Sequence, residues 1–206
     1  IVGNAGYLKD TNLGKIIDGH DLVVRMNKFQ ISGFENCIGR KINFVFASFG
    51  RRTDLIPICR TANYIFSSKP NTFFKDSASE FSLFSHRNGR FITKGLKNLN
   101  RKEGYAPSAS YYAEIGKNLS AKPTTGFMSI LFVIDYLSGI FSNIFITGFS
   151  FFEGLNHYFA DDDSDLGNRH NIKKERQILA QKLCPLIFEG RVVVDEIMAR
   201  HLEASS

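Results

Sequence analysis

The chain has 206 residues and carries 26 Lys and Arg against 20 Asp and Glu, a formal net charge of +6. Hydrophobic residues make up 43% and charged residues 22%, ordinary globular usage that excludes a disordered chain. No apolar run approaches the ~20 residues needed to cross a bilayer, since the longest, Phe127–Leu137, is interrupted by Ser129 and Asp135.

Ile1-Val2 reads as the end of a buried strand running into Gly3-Asn4-Ala5-Gly6. A short helix over Leu13–Asp18 and a strand over Leu22–Met26 follow. Asn36–Lys41, with Gly39, forms a turn into a third strand, Ile42–Ala47, rich in β-branched and aromatic residues. Tyr64–Ser67 reads as a fourth strand. The polar stretch Lys69–Asn100 reads as loops and short helices covering one sheet edge. A helix is expected over Ala109–Leu119. Pro123-Thr124-Thr125-Gly126 then breaks the chain and opens a helix over Phe127–Leu137, stopped by Gly139. That helix is apolar nearly all round, so it belongs against a sheet. Asn143–Thr147 is a strand ending at Gly148, and Asp161–Asp165 an acidic loop. A helix over Asn171–Leu183 and a strand over Arg191–Val194 complete the pattern.

Strands alternating with helices predict an α/β fold: a single Rossmann-like domain over residues 1–206, its sheet mostly parallel with helices on both faces. With 20 Phe and no Trp, the core should be Phe-rich. Cys37, Cys59 and Cys184 have no metal-ligand spacing, and their odd number leaves at least one thiol unpaired in a monomer. A reducing cytoplasm fits them. The first residue is Ile1 rather than Met, which leaves an upstream targeting or anchor segment open.

Basic residues are scattered, with small clusters at Arg51-Arg52, Lys94–Lys102 and Lys173–Arg176. There is no basic helix interleaved with aromatics, so nucleic acid is not expected as a partner. An anionic small ligand, or association with an anionic membrane surface, fits the surplus.

Four segments could carry chemistry. Gly3-Asn4-Ala5-Gly6 follows a strand, where glycine lets the backbone approach a phosphate or nucleoside; a plain tight turn is the alternative, since the spacing is neither a dinucleotide fingerprint nor a P-loop. Pro123–Gly126 precedes a helix whose unpaired N–H groups bind anions, or is simply a Thr N-cap. His157-Tyr158 and His170 flank one loop. His170 falls just before a helix start, where the positive end of the dipole favours a neutral imidazole suited to a base. The run Asp161–Asp165 reads as a solvated loop tip rather than a metal site.

In order and spacing, these segments resemble the sialyltransferases of glycosyltransferase family 29. The family's large motif is similar to Val2–Lys9 with Gly14, Ile17-Asp18, His20-Asp21, Arg25-Met26-Asn27, Gly33-Phe34-Glu35, Gly39 and Lys41. Its small motif is similar to Pro123–Met128, followed by Ile146–Phe149. Its third motif resembles His157-Tyr158, and its last, a His and a Glu separated by four residues, resembles His170 to Glu175. The resemblance implies inverting transfer of sialic acid from a CMP-activated donor to a hydroxyl of a glycan or lipid-linked glycan, with no cofactor and no metal. It implies that Gly3, Asn4, Ala5 and Asn27 lie on the cytidine monophosphate and that Thr124, Thr125 and Gly126 hold the nucleoside and ribose. His157, with Tyr158 in the same motif, would contact the donor phosphate, and His170 would be the general base. Tyr111 or Tyr112 would add a phenol near the phosphate.

Secretory members tie the large and small motifs by a disulfide, and no Cys lies within Thr124–Phe149 here. The expectation is therefore a microbial, cytoplasmic member, peripheral to the inner face of the membrane if its acceptor is lipid-linked. Two alternatives stand beside it: transfer of the eight-carbon acid Kdo from CMP-Kdo, and a nucleotide-binding module without transfer.

Overall fold

Phe44, Val45, Phe46 and Ala47 are all apolar, and in an extended strand successive side chains point to opposite faces. Such a strand needs cover on both sides. The computed structural model, which describes residues 1–48, 61–70, 81–84, 104–154, 157–159 and 169–204 (backbone alone at 81–84 and 104–105), supplies it.

A 3-10 turn at Gly6–Asp10 leads to α1 (Gly14–Asp18), β1 (Val24–Met26), α2 (Glu35–Ile38), β2 (Phe44–Ala47) and β3 (Tyr64–Ser67). Then come β4 (Phe81–Phe84), β5 (Gly104–Pro107), α3 (Ala109–Leu119), α4 (Thr125–Phe132), β6 (Ile144–Ile146), α5 (Ile172–Phe188), β7 (Val192–Val194) and α6 (Glu196–Glu203). Five strands pair in the order β1-β2-β3-β5-β4, all parallel except β4 on β5, and β6 pairs with β7 in parallel. Residues 1–3 join the two sheets. Val2 bridges Arg25 on one side and Thr147 on the other, with Val2 N–H on the Val24 carbonyl at 2.8 Å and Gly3 N–H on the Thr147 carbonyl at 2.7 Å. The α/β class with a mostly parallel sheet is as expected.

Helices cover both faces. Val24, Met26, Phe46, Phe66, Ile144 and Ile146 face α3, α4, α5 and α6, with Leu119, Ile130, Phe132, Leu183 and Met198 buried among them. The other face sets Val2, Val45 and Ile65 against Leu8, Ile17 and Ile38. The core is Phe-rich: Phe46 stacks on Phe66 at 5.0 Å, and Phe66 meets Phe132 at 4.5 Å between ring centroids, contacts that add about 0.5–1.5 kcal/mol each to the burial of the rings.

The structure corrects four expectations. Lys69–Asn100 contains a strand, β4, where loops and short helices were expected; its four residues lie between polar flanks that hide them, and they add an antiparallel edge to the sheet by pairing with β5. The apolar helix begins at Thr125, with Thr124 as N-cap, and ends in a π turn over Val133–Leu137. The helix expected to stop at Leu183 runs to Phe188 through Pro185. Proline there removes one N–H, and the turn beyond it is held by Leu186 and Ile187 packing on the core. Finally, α6 has no counterpart in the sequence reading, although Asp195 caps it and Met198 and Leu202 bury one face.

Candidate active site

The carboxyl ends of the parallel strands converge on one edge, the place where an open α/β sheet binds ligands. Gly3 leaves the joining strand there, in contact with the turn after β6. A Cβ on Gly3 would lie 2.0 Å from the Gly148 carbonyl oxygen, so a side chain cannot fit. Gly148 has φ +83°, a left-handed conformation that favours glycine. The Gly3–Ala5 segment is thus held by backbone packing, and the Ala5 N–H reaches the Gly148 carbonyl at 3.0 Å.

Asn4 binds the loop after β1: its Nδ2 donates to the carbonyls of Met26 and Lys28, both at 3.0 Å. Between those two residues Asn27 sits at φ +50°, its N–H on the Phe46 carbonyl and its Oδ1 accepting from Ser48 N–H. Asn tolerates this region better than most residues. The His157 segment is laid against the same loops. His157 bridges Ala5, and Tyr158 N–H donates to the Asn4 carbonyl at 3.2 Å. Tyr158 itself is buried, with its hydroxyl donating to the Gln30 carbonyl at 2.8 Å and accepting from Gln30 N–H at 3.1 Å. Burial pushes its phenol up to about 12, so it remains a donor at neutral pH.

Thr124 is the N-cap of α4, its Oγ1 accepting from Phe127 N–H at 3.0 Å. Its own N–H and hydroxyl donate to the two oxygens of Glu175, each at 2.7 Å. Glu175 is 3% exposed, and desolvation raises its carboxyl to about 7 even though both Thr124 hydrogen bonds favour the ionised form. Thr125 Oγ1 meets Ser68 Oγ at 3.2 Å, just past β3. A Cβ on Gly126 would stand 3.0 Å from the Phe149 ring and 3.7 Å from Met26 Sδ, which brings this turn to the end of β1.

His170 precedes α5. Its Nδ1 lies 2.7 Å from the Lys122 carbonyl. A carbonyl can only accept, so Nδ1 carries the proton and the Nε2 lone pair of the neutral ring is left for a base. The same stretch is joined twice more, by Lys122 N–H to the Arg169 carbonyl at 3.2 Å and by Asn171 Nδ2 to the Leu119 carbonyl at 3.0 Å. With Glu175 on Thr124, residues 119–124 and 169–175 form one stitched unit.

Residues 1–183 match the family model for glycosyltransferase family 29 (sialyltransferase). The chain belongs to this family. CMP-N-acetylneuraminate-beta-galactosamide-alpha-2,3-sialyltransferase 1 of Mus musculus is 51% identical over 41 residues, 20% of this chain and 12% of the relative. Sialyltransferase-like protein 2 of Oryza sativa subsp. indica is 35% identical over 65 residues, 32% of this chain and 15% of the relative. The matched stretches thus span a small part of these relatives' lengths. A crystal structure of a mammalian sialyltransferase in complex with Gal-beta-1-3GalNAc-ortho-nitrophenol shares the fold, with a TM-score of 0.58 and 19% identity over 95% of this chain and 67% of that one.

In this family 29 chain, two contiguous groups assemble from the sequence-predicted residues. One contains Gly3, Asn4, Ala5, Asn27, His157 and Tyr158; the other contains Thr124, Thr125, Gly126 and His170. Gly126 near Met26 brings the groups together. Tyr111 and Tyr112 lie half-buried on α3. Burial and then the charge of Glu175 hold the Tyr112 phenol above the usual tyrosine range, which leaves it neutral. The Asp161–Asp165 run and Cys59 lie outside the described residues, while Cys37 and Cys184 are both half-buried, with Cys37 Sγ donating to the Lys9 carbonyl at 3.3 Å. Sequence reasoning missed Ser48 and Ser68, polar residues just past β2 and β3; the rule that ligands sit at strand carboxyl ends would have found them. A cavity of about 450 Å³ opens at the opposite end of the strands, beside Lys15, His20, Phe44 and Phe141, and none of the candidate site residues lines it.

Proposed function

We propose that the chain transfers sialic acid from CMP-sialic acid to a hydroxyl of a glycan, with inversion at the anomeric carbon and without a metal ion. The observation that carries this reading is His170, whose Nδ1–H is spent on the Lys122 carbonyl. That bond orients the ring with Nε2 as a proton acceptor, in the same stitched unit as the Thr124–Gly126 turn.

In this mechanism Nε2 of His170 takes the proton of the acceptor hydroxyl as its oxygen bonds to the anomeric carbon. The bond from that carbon to the phosphate oxygen breaks on the opposite face, and its electrons leave with CMP. His157 donates to the departing phosphate, while Asn4, Asn27 and the helix N-terminus at Thr125 and Gly126 hold the nucleotide. Hydrogen-bond donors and a dipole aimed at one phosphate stabilise its charge, which is why no metal enters the scheme.

The test is CMP release and glycan product formation from CMP-sialic acid, with and without EDTA, with NMR assignment of the product's anomeric configuration. Inverted product formed at the same rate in EDTA supports the full reading. Loss of activity in EDTA removes metal independence, and retained configuration removes the single-displacement mechanism. CMP-Kdo as the second donor tests the sugar: turnover with it alone replaces sialic acid in the reading.

A further inference from the structure

We infer that Tyr158 is a positioning residue whose hydroxyl, clamped on the Gln30 backbone, holds His157 where the donor phosphate binds. This rests on the functional reading above, in which His157 meets that phosphate.

The geometry is that of a strand partner made from a side chain. One phenol oxygen accepts the Gln30 N–H and donates to the Gln30 carbonyl, the two bonds a neighbouring strand would supply. The ring is fixed as well, edge-on to Phe34 at 5.1 Å and to Phe159 at 5.0 Å. The Tyr158 main chain meanwhile bonds Asn4, whose side chain binds Met26 and Lys28 on either side of Asn27. The clamp therefore references His157 to the same loop that carries Asn27 and anchors Asn4. Gln30 is exposed, so water can satisfy its backbone once the hydroxyl is gone. Removing the oxygen should thus disturb position far more than fold.

The test compares CMP with cytidine, which lacks the phosphate, on wild type, Tyr158→Phe, His157→Ala and the double variant. Tyr158→Phe is expected to weaken CMP on the order of tenfold while cytidine binding is unchanged. Its melting temperature should fall by no more than about 4 °C. On the His157→Ala background the same change should have no further effect on CMP, since the two act through one contact. Equal weakening of CMP and cytidine, full additivity in the double variant, unchanged CMP affinity, or loss of cooperative melting in Tyr158→Phe would each overturn the inference alone. Wild type that binds neither CMP nor cytidine would instead bring down the functional reading, and the inference with it.

Discussion

Glu175 holds Thr124 twice, with Oε1 on the backbone N–H and Oε2 on the hydroxyl, both at 2.7 Å. The bond pair ties the helix that follows the candidate base to the N-cap of the helix that follows the candidate nucleoside turn. It also buries a carboxylate whose folded-state ionisation lies near 7, against an ordinary value of 4.5. Between those values the folded chain keeps a proton that the unfolded chain has released. Stability is therefore greatest below the lower value, falls as pH rises through the window and levels off above it, by a total on the order of 3 kcal/mol from this group. Glu175→Gln should flatten that part of the pH dependence, read as urea-unfolding free energies between pH 5 and pH 8. An unchanged slope would assign the effect to another group.

His170→Ala should lower turnover by a factor on the order of 10²–10⁴ and leave CMP affinity close to wild type. Single-turnover rates together with CMP titration separate the two effects. A variant of near-normal rate would remove His170 from the role of base.

Gly3→Ala places a methyl 2.0 Å from a backbone oxygen that has no rotamer to move to. The joining strand and the turn after β6 would have to separate, at a cost of about 3 kcal/mol. Chemical unfolding measures the loss, and CMP binding should weaken in the same variant because Asn4 and Ala5 move with the strand.

Asn4→Ala leaves the Met26 and Lys28 carbonyls without their side-chain donor. Because Asn4 is only half-buried, water recovers part of the loss, and stability should drop by about 1–2 kcal/mol. The larger effect should be on CMP affinity, measured by calorimetry, since the loop that carries Asn27 loses its brace.

The central strands were legible because their apolar residues alternate on two buried faces, as Phe44–Ala47 does. The candidate motifs were legible because glycines and hydroxyls sit at the points where strands end and helices begin. The pairing of distant elements was not. Tyr7 donates its hydroxyl to Asp195 and accepts from Gly148 N–H at 2.8 Å, and Asp195 caps α6 through Met198 N–H at 2.8 Å. No local propensity signals a partner at the far end of the chain, so neither the brace nor the helix it anchors was foreseen. β4 escaped notice for a different reason. Four residues between polar flanks give too short a period to read, and their strand conformation comes from β5 lying alongside.

Val2 pairs with Arg25, close by in sequence, and with Thr147, far down the chain. The loop between Val2 and Thr147 has a large closure entropy, and contacts of that span form slowly. The two halves of the sheet can therefore condense separately and join afterwards, so the candidate nucleotide edge at Gly3 and Gly148 matures as this seam closes. Pulse-labelling hydrogen exchange during refolding should find the Gly3 and Thr147 amides protected later than those of β2 and β3.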